Sequence, residues 1–375
     1  MTGVCGIVRG PRSVALHVDA PELRLFVMGL FFIFGGITSL NDVIIPKLKE
    51  LFTLNFTQAM LIQFCFFTAY LVIGIPGAKL VKKIGYMRGA VVGLLTMMMG
   101  CLLFIPASQS ATYALFLAAL FVLASGVVVV QVVTNPLISL LGKPETAHSR
   151  LTFAQAFNSL GTTVFPIVGS ILILGSLASM SAGQLSGAEL DAYRTAESQA
   201  IVNGYLGIAA ALAVVAVMVW IFRNKLPHDA ASMAGKELVS FARYAVGLTL
   251  IVAGGIVAIQ INAIAGLLLI LLAPTIWLYD NDLLRTRPRF SFGALCIFLY
   301  VGAEVSIGSL VVNYLMQPGV MALPEQAAGK LIGLYWGGAM IGRFIGSALM
   351  RIVSPGKLLA MVAIGAITLI LISIN

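Results

Sequence analysis

Apolar residues in this chain come in long runs, separated by short polar stretches. A helix needs about 20 mostly apolar residues to cross a bilayer. Runs of that order lie near residues 25–46, 57–79, 87–107, 112–141, 151–175 and 201–222. They resume near 241–259, 262–279, 291–316, 330–350 and 357–375. The pattern predicts an all-α, polytopic membrane protein. Gly and Ala punctuate the runs, and between membrane helices such small residues let backbones approach closely. The pair 241–279 is barely long enough for two spans, with a turn at Gln260–Asn262. Both its flanks are basic, so it crosses twice or, as a re-entrant or interfacial element, not at all.

Composition supports the membrane class. Of the 375 residues, 60% are hydrophobic and 10% charged, against about 25% charged in an ordinary soluble domain. A net charge of +9 would suggest nucleic acid in a soluble protein. Here the basic residues sit in short loops with no interleaved aromatics, so nucleic acid is not an expected partner. The charge describes topology instead. Lys79, Lys82, Lys83 and Arg88, then Lys143 and Arg150, then Arg223, Lys225, Lys236 and Arg243 all fall on one side. So do Arg285, Arg287 and Arg289, and then Arg351 and Lys357. The longest loop of the other side, near 176–200, carries Glu189, Asp191 and Glu197 against Arg194. Lys47 and Lys49 are the exception, offset in part by Glu50. The positive-inside rule then places the N-terminus in the cytoplasm.

No chemistry of the usual enzymatic kinds is legible. Cys5, Cys65, Cys101 and Cys296 form no CxxC pair, and His17, His148 and His228 are far apart. Neither a metal nor a cofactor is expected. HExxH, GxSxG with partner residues, and the P-loop are missing, so an enzyme or an ATP-driven pump is not expected. Residues 1–24 carry Arg9, Arg12, Asp19, Glu22 and Arg24. They form a cytoplasmic segment rather than a signal peptide.

The chain also repeats itself. Gly77-Ala-Lys-Leu-Val-Lys-Lys-Ile-Gly-Tyr-Met-Arg88 is similar to Gly346-Ser-Ala-Leu-Met-Arg-Ile-Val-Ser-Pro-Gly-Lys357. At a nearly equal offset, Leu30-Phe31-Phe32 and Gly35 match Ile297-Phe298-Leu299 and Gly302. Two matches at like offset indicate parallel halves. The expected organisation is a six-helix half at 25–222, a basic linker with an inserted apolar hairpin at 223–290, and a partial second half at 291–375.

Several polar residues interrupt the apolar runs. A charge at mid-membrane costs about 2.5–3.5 kcal/mol on insertion scales, so each needs a reason. Asp42 lies in the first run, Glu304 in the ninth and Arg343 in the tenth. Gln63, Gln131, Thr134, Asn135, Gln155 and Asn158 join them. Amides both donate and accept, and a carboxylate accepts two hydroxyls strongly. That mixture suits a sugar-sized ligand, with Tyr70, Tyr300, Tyr335 and Trp336 available to stack on a pyranose ring. A carboxylate in a low-dielectric cavity can titrate, which suits proton coupling. The competing explanation for each amide is an interhelical hydrogen bond. For Arg343 a structural pairing or snorkelling is the stronger reading. Pro136 and Pro166 are read as helix kinks.

These motifs carry a family resemblance. Leu40-Asn41-Asp42 with Pro46, Gln58-Ala59, Leu61-Ile62-Gln63 and Thr134-Asn135-Pro136 contribute to it. So do Arg150-Leu151, Ala154-Gln155-Ala156-Phe157-Asn158-Ser159-Leu160-Gly161, Phe298-Leu299-Tyr300-Val301-Gly302-Ala303 and Ile341-Gly342-Arg343-Phe344. The chain resembles the fucose–proton symporter family of the major facilitator superfamily, most closely its glucose/galactose and N-acetylglucosamine branch. The resemblance implies a bundle of two pseudo-equivalent helical halves and cation-coupled sugar import by alternating access across the cell inner membrane. A monomer is expected. Read from the residues themselves, the candidate sugar contacts are Gln63, Gln131, Asn135, Gln155, Asn158 and Glu304, and the candidate ion-coupling carboxylates are Asp42 and Glu304. The resemblance implies that the Asp at position 42 and an acid on the fourth helix serve substrate binding and proton coupling. The family's fourth-helix acid is Gln131 here, while Glu304 is acidic where the fucose carriers hold an amide. This points away from fucose and from a two-carboxylate relay, toward an aldohexose or amino sugar. The resemblance also implies twelve spans, so the second half is expected to be truncated. Two other functions stay open on the sequence: a transport-inactive remnant or membrane scaffold, and a drug exporter of the same superfamily.

Overall fold

The computed structural model describes residues 20–52, 54, 56–110, 112–169, 187–224, 286–323 and 325–374, with scattered positions between 245 and 276. Nine long helices are described: α1 Pro21–Leu51, α2 Phe56–Ile84, α3 Tyr86–Gln109, α4 Tyr113–Leu140, α5 Ala147–Gly169, α6 Ala188–Ile221, α7 Pro288–Met316, α8 Glu325–Leu349 and α9 Pro355–Ile374. No strand occurs among the described residues. Lipid offers no hydrogen bonds to a backbone, so only structures that satisfy their own backbone groups can cross it. Pro76, Pro106, Pro136 and Pro166 lie inside α2, α3, α4 and α5, as membrane helices permit.

Each apolar run outside 241–279 is a helix at its expected place, usually longer than the run. The largest difference is α6, which begins at Ala188 rather than near 201. Its first turns, Ala-Glu-Leu-Asp-Ala-Tyr-Arg-Thr-Ala-Glu, are good helix formers but too polar for a hydropathy window. Among the described residues, seven helices are long and apolar enough to cross a membrane. The run expected at 151–175 continues beyond Gly169, where α5 leaves the described residues, and α8 is less apolar than these seven. Helices α5 and α8 carry Gln155, Asn158 and Arg343. Of the 241–279 pair, residues 245–251 and 264–266 are helical; most of the remainder lies outside the described residues.

The chain divides into two compact units, Met1–Ser232 with Gly333–Asn375, and Met233–Ile332. In the first unit α4 is central. It packs on α3, α2 and α1, while α1 packs on α5 and α3 on α6. Its buried face includes Leu120, Leu123, Val127, Val130, Val133 and Leu137. Close approach of α3 and α4 depends on glycine. A Cβ on Gly93 would meet the Val130 side chain at 2.7 Å, and one on Gly100 or Gly126 would fall on the facing backbone. The outer face of α6 leaves Val214, Val217, Trp220 and Ile221 exposed, a surface suited to lipid. At its end the Arg223 guanidinium lies 4.3 Å from the Trp220 ring centroid, the kind of anchor found at a membrane interface. In the second unit, α7 presents Phe292, Leu295, Ile297 and Phe298 as exposed apolar side chains.

Two arginines finish α4. The last carbonyls of a helix have no partner within it. Arg24 donates from Nε to the Leu141 carbonyl at 3.0 Å. Arg150 donates to the carbonyls of Ile138 at 3.3 Å, Ser139 at 2.8 Å and Lys143 at 2.8 Å. Cations also complement the helix dipole there. Gly142 turns the chain between the two guanidiniums with φ 125°. Burial, and then the Arg24 charge beside it, lowers the Arg150 pKa below its ordinary value.

Between α3 and α6, Phe104 and Tyr205 stack with ring centroids 4.0 Å apart and planes at 12°. The Tyr205 hydroxyl is enclosed and without a hydrogen-bond partner among the described residues. An unsatisfied buried hydroxyl costs about 1–3 kcal/mol. Tyr205→Phe keeps the stack and removes the orphan group. Its expected result is a higher thermal midpoint in detergent, by about 1 kcal/mol of stability; a lower midpoint would show that the hydroxyl has a partner.

Candidate functional site

Three helices of the first unit supply a polar belt. On α4, Gln131 and Asn135 are one turn apart and share a face. Gln131 donates from Nε2 to the Tyr70 hydroxyl of α2 at 2.9 Å, and Tyr70 also shares a hydrogen bond with Thr38 of α1. Gln155 of α5 donates from Nε2 to the Asn135 side-chain Oδ1 at 3.2 Å. Asn158 turns to α1 and donates to the Phe31 carbonyl at 3.4 Å. Around them the bundle is apolar: Val133 and Ala154 are fully buried neighbours in sequence.

The belt has capacity left over. An amide carries two donor hydrogens and an oxygen with two lone pairs, and these bonds use only part of that. Among the described residues, Tyr205 holds the one fully enclosed side-chain polar atom without a partner. The unspent amide groups are therefore reachable from outside the packed core. Aromatic surface adjoins them, since Tyr70 lies 6.2 Å from Phe66 and 5.9 Å from Phe67 between ring centroids. A belt of this chemistry suits a ligand rich in hydroxyls.

Of the residues expected from sequence, Gln131, Asn135, Gln155 and Asn158 are thus gathered on adjoining helices, each in an interhelical hydrogen bond. Gln63 is partly buried on α2, two turns before Tyr70, and takes part in a polar interaction. Asp42 lies within α1, one turn beyond Thr38, but its side chain is outside the described residues. Glu304, on α7 in the second unit, is partly buried and also has a polar interaction. Arg343 fits its structural reading: it donates to the Ser159 hydroxyl of α5. Sequence reasoning passed over Thr38 and Ser159. A hydroxyl within an apolar helix gives no signal, because it can bond its own preceding turn.

The sequence profile of the Major Facilitator Superfamily matches residues 27–374. The chain belongs to the Major Facilitator Superfamily. Within this superfamily it is 44% identical over 371 residues to a glucose/galactose transporter of Brucella abortus biovar 1 (strain 9-941), covering 97% of this chain and 77% of that one. It is 30% identical over 375 residues to the L-fucose-proton symporter of Escherichia coli (strain K12), covering 96% of this chain and 75% of that one. Its fold is similar to a crystal structure of the major facilitator transporter FucP in the outward conformation. The TM-score is 0.72 at 29% identity, covering 93% of this chain and 76% of that one. The resemblance carried by the motifs is borne out, as is the all-α, multi-pass membrane architecture. The named relatives are transporters.

Proposed function

We propose that the chain imports a hexose such as glucose or galactose, or an N-acetyl-hexosamine, in symport with a proton or sodium ion. The observation that carries this reading is the amide belt of Gln131, Asn135 and Gln155 beside Tyr70. It is a set of neutral hydrogen-bonding groups within an apolar bundle, suited to hydroxyls and ill suited to a greasy cation. The names of the relatives, glucose/galactose transporter and L-fucose-proton symporter, support it. In this reading Gln63, Gln131, Asn135, Gln155 and Asn158 bind sugar hydroxyls. Glu304 adds a charged acceptor for the sugar, and Asp42 is the coupling group. Residues 25–222 and 291–375 act as the two moving halves, with 1–24 as the cytoplasmic segment and 223–290 as the linker.

Counting about 1.5 Å per residue from the basic ends of α4 and α5 places the amides about 8–17 Å deep. The same count from the first residues of α1 and α7, their cytoplasmic ends in the expected topology, gives Asp42 about 31 Å and Glu304 about 24 Å. The carboxylates therefore belong to the outer part of the site and the amides to its inner part. The test is competition. Uptake of labelled galactose into proteoliposomes should be blocked by excess glucose, galactose or N-acetylglucosamine. Inhibition by amphipathic cations and by none of the sugars would replace this reading with a drug exporter.

Two predictions follow from the geometry. Gln155→Ala removes the Asn135 partner and one sugar contact. A neutral hydrogen bond contributes about 0.5–1.5 kcal/mol, so the apparent KM should rise about threefold to tenfold with turnover less affected. An unchanged KM would return Gln155 to a purely structural role. The second concerns orientation in the inner membrane. The 34 residues of α6 extend about 51 Å, with the acidic Ala188 end outside and the Arg223 end in the cytoplasm. Single cysteines at Glu189 and Asn224 should react with an impermeant maleimide from opposite faces; labelling from the same face would overturn the topology.

A further inference from the structure

Side chains of α5 and α8 meet along a seam of contacts in which the two chain directions are opposed. At its basic end, Ser149 in the first turn of α5 meets Ser347 in the last turn of α8. The Ser149 hydroxyl donates to the Ser347 carbonyl at 2.8 Å, and the Ser347 hydroxyl donates to the Ser149 carbonyl at 3.0 Å. Both residues are buried, 4% and 2% exposed. Further in, the Phe344 ring sits edge-on to Phe153 at 5.8 Å and to Phe157 at 6.0 Å. Beyond the rings, Arg343 reaches the Ser159 hydroxyl and Thr163 approaches the Met340 sulfur at 4.0 Å. Ser159 in turn donates to the Gln155 carbonyl at 3.3 Å, so the seam ends on the amide belt.

The serine pair is built to part as well as to hold. Ser347 lies two residues before the end of α8, where carbonyls lack an intrahelical partner, and the Ser149 hydroxyl fills that vacancy. On separation neither hydroxyl is stranded. Ser347 can turn back to the Arg343 carbonyl four residues earlier, as Thr38, Thr96 and Ser125 do in this chain. Ser149 and the freed Ser347 carbonyl lie at the helix ends, flanked by Lys143 and Arg351, where water can take over. A static joint of the same length would be made more cheaply with alanine and close packing.

We propose that Ser149 and Ser347 form a reversible clasp that holds α5 to α8 on the basic face and opens in each transport cycle. The clasp lies beneath the amide belt and controls its access to the cytoplasm. This inference rests on the proposed transport function, so its test carries a readout independent of sugar. In proteoliposomes of the full chain, S149C/S347C should crosslink under a mild oxidant, lose sugar uptake on crosslinking and regain it with reductant. The S149A/S347A variant should show faster amide exchange in the first turn of α5 and the last turn of α8. Two neutral hydrogen bonds lost correspond to about tenfold or more in that opening equilibrium. Failure to crosslink, undiminished uptake by crosslinked protein, or unchanged exchange in the alanine variant would each overturn the clasp. If the reduced protein takes up no sugar while the alanine variant exchanges faster, the clasp stands and the sugar reading fails.

Discussion

Asparagine at position 42 is expected to abolish gradient-driven sugar accumulation while leaving sugar exchange across the membrane. Between Glu22 and Glu50, Asp42 is the one acidic residue of α1, and between Arg24 and Lys47 it is the one charged residue. A carboxylate kept there against an insertion cost of about 2.5–3.5 kcal/mol is explained by a need for its charge to come and go. Asparagine retains hydrogen-bonding capacity, so the sugar still binds, but it cannot take up or release a proton. A difference of one pH unit is worth about 1.36 kcal/mol per proton, enough for about tenfold accumulation by a one-to-one symporter. The Asp42→Asn protein should reach a ratio of one under the same gradient and still swap internal for external label. Accumulation equal to that of the unaltered chain would remove Asp42 from coupling.

The second large effect is on assembly. Gly161→Leu is expected to prevent the chain from folding into a monodisperse protein. Where α1 crosses α5, a Cβ on Gly161 would fall on the Phe32 carbonyl and come within 2.9 Å of the Gly36 nitrogen. A Cβ on Gly36 would strike the Phe165 ring, and one on Gly35 would strike Asn158. The contact is with backbone, which cannot turn aside as a side chain can. Overpacking commonly costs about 1–3 kcal/mol, and a leucine at a backbone crossing exceeds that, against a total stability of about 5–15 kcal/mol. Forcing α1 from α5 also separates Asn158 from the Phe31 carbonyl and splits the Phe32–Phe165 edge contact at 5.4 Å. Size-exclusion chromatography in detergent should show aggregate in place of the monodisperse peak. A normal peak with an unchanged thermal midpoint would contradict the crossing geometry.

How much of this could be read from sequence depends on what each feature answers to. Hydrocarbon is a demanding solvent, so the runs at 25–46, 57–79 and 87–107 lie within α1, α2 and α3 with differences of a few residues at most ends. The rule weakens outside the bilayer, and there the first turns of α6 were invisible: Glu189 and Arg194 belong to a helix that hydropathy cannot register. Polar residues in apolar runs were legible as exceptions, and Gln131, Asn135, Gln155 and Asn158 do cluster. Their pairing was not legible. Gln131 and Tyr70 are 61 residues apart in sequence, and which faces meet depends on helix crossing, set by Gly35, Gly93, Gly126 and Gly161 rather than by the polar residues themselves. Ser149 and Ser347, 198 residues apart, gave no signal, since serine is common in membrane helices for local reasons. Arg150 stood out within the family motif, yet its work on the α4 carbonyls appears only once the loop is folded.

The central claim is that the amide belt binds sugar and that a cation gradient drives its import. Its most direct test is uptake of labelled glucose and galactose by the purified chain in proteoliposomes, with an inward proton gradient, an inward sodium gradient, or neither. The account predicts internal sugar rising above the external concentration under one of the two gradients and collapsing when an ionophore dissipates it. Equal internal and external sugar under every condition, or no entry of either sugar, would contradict it.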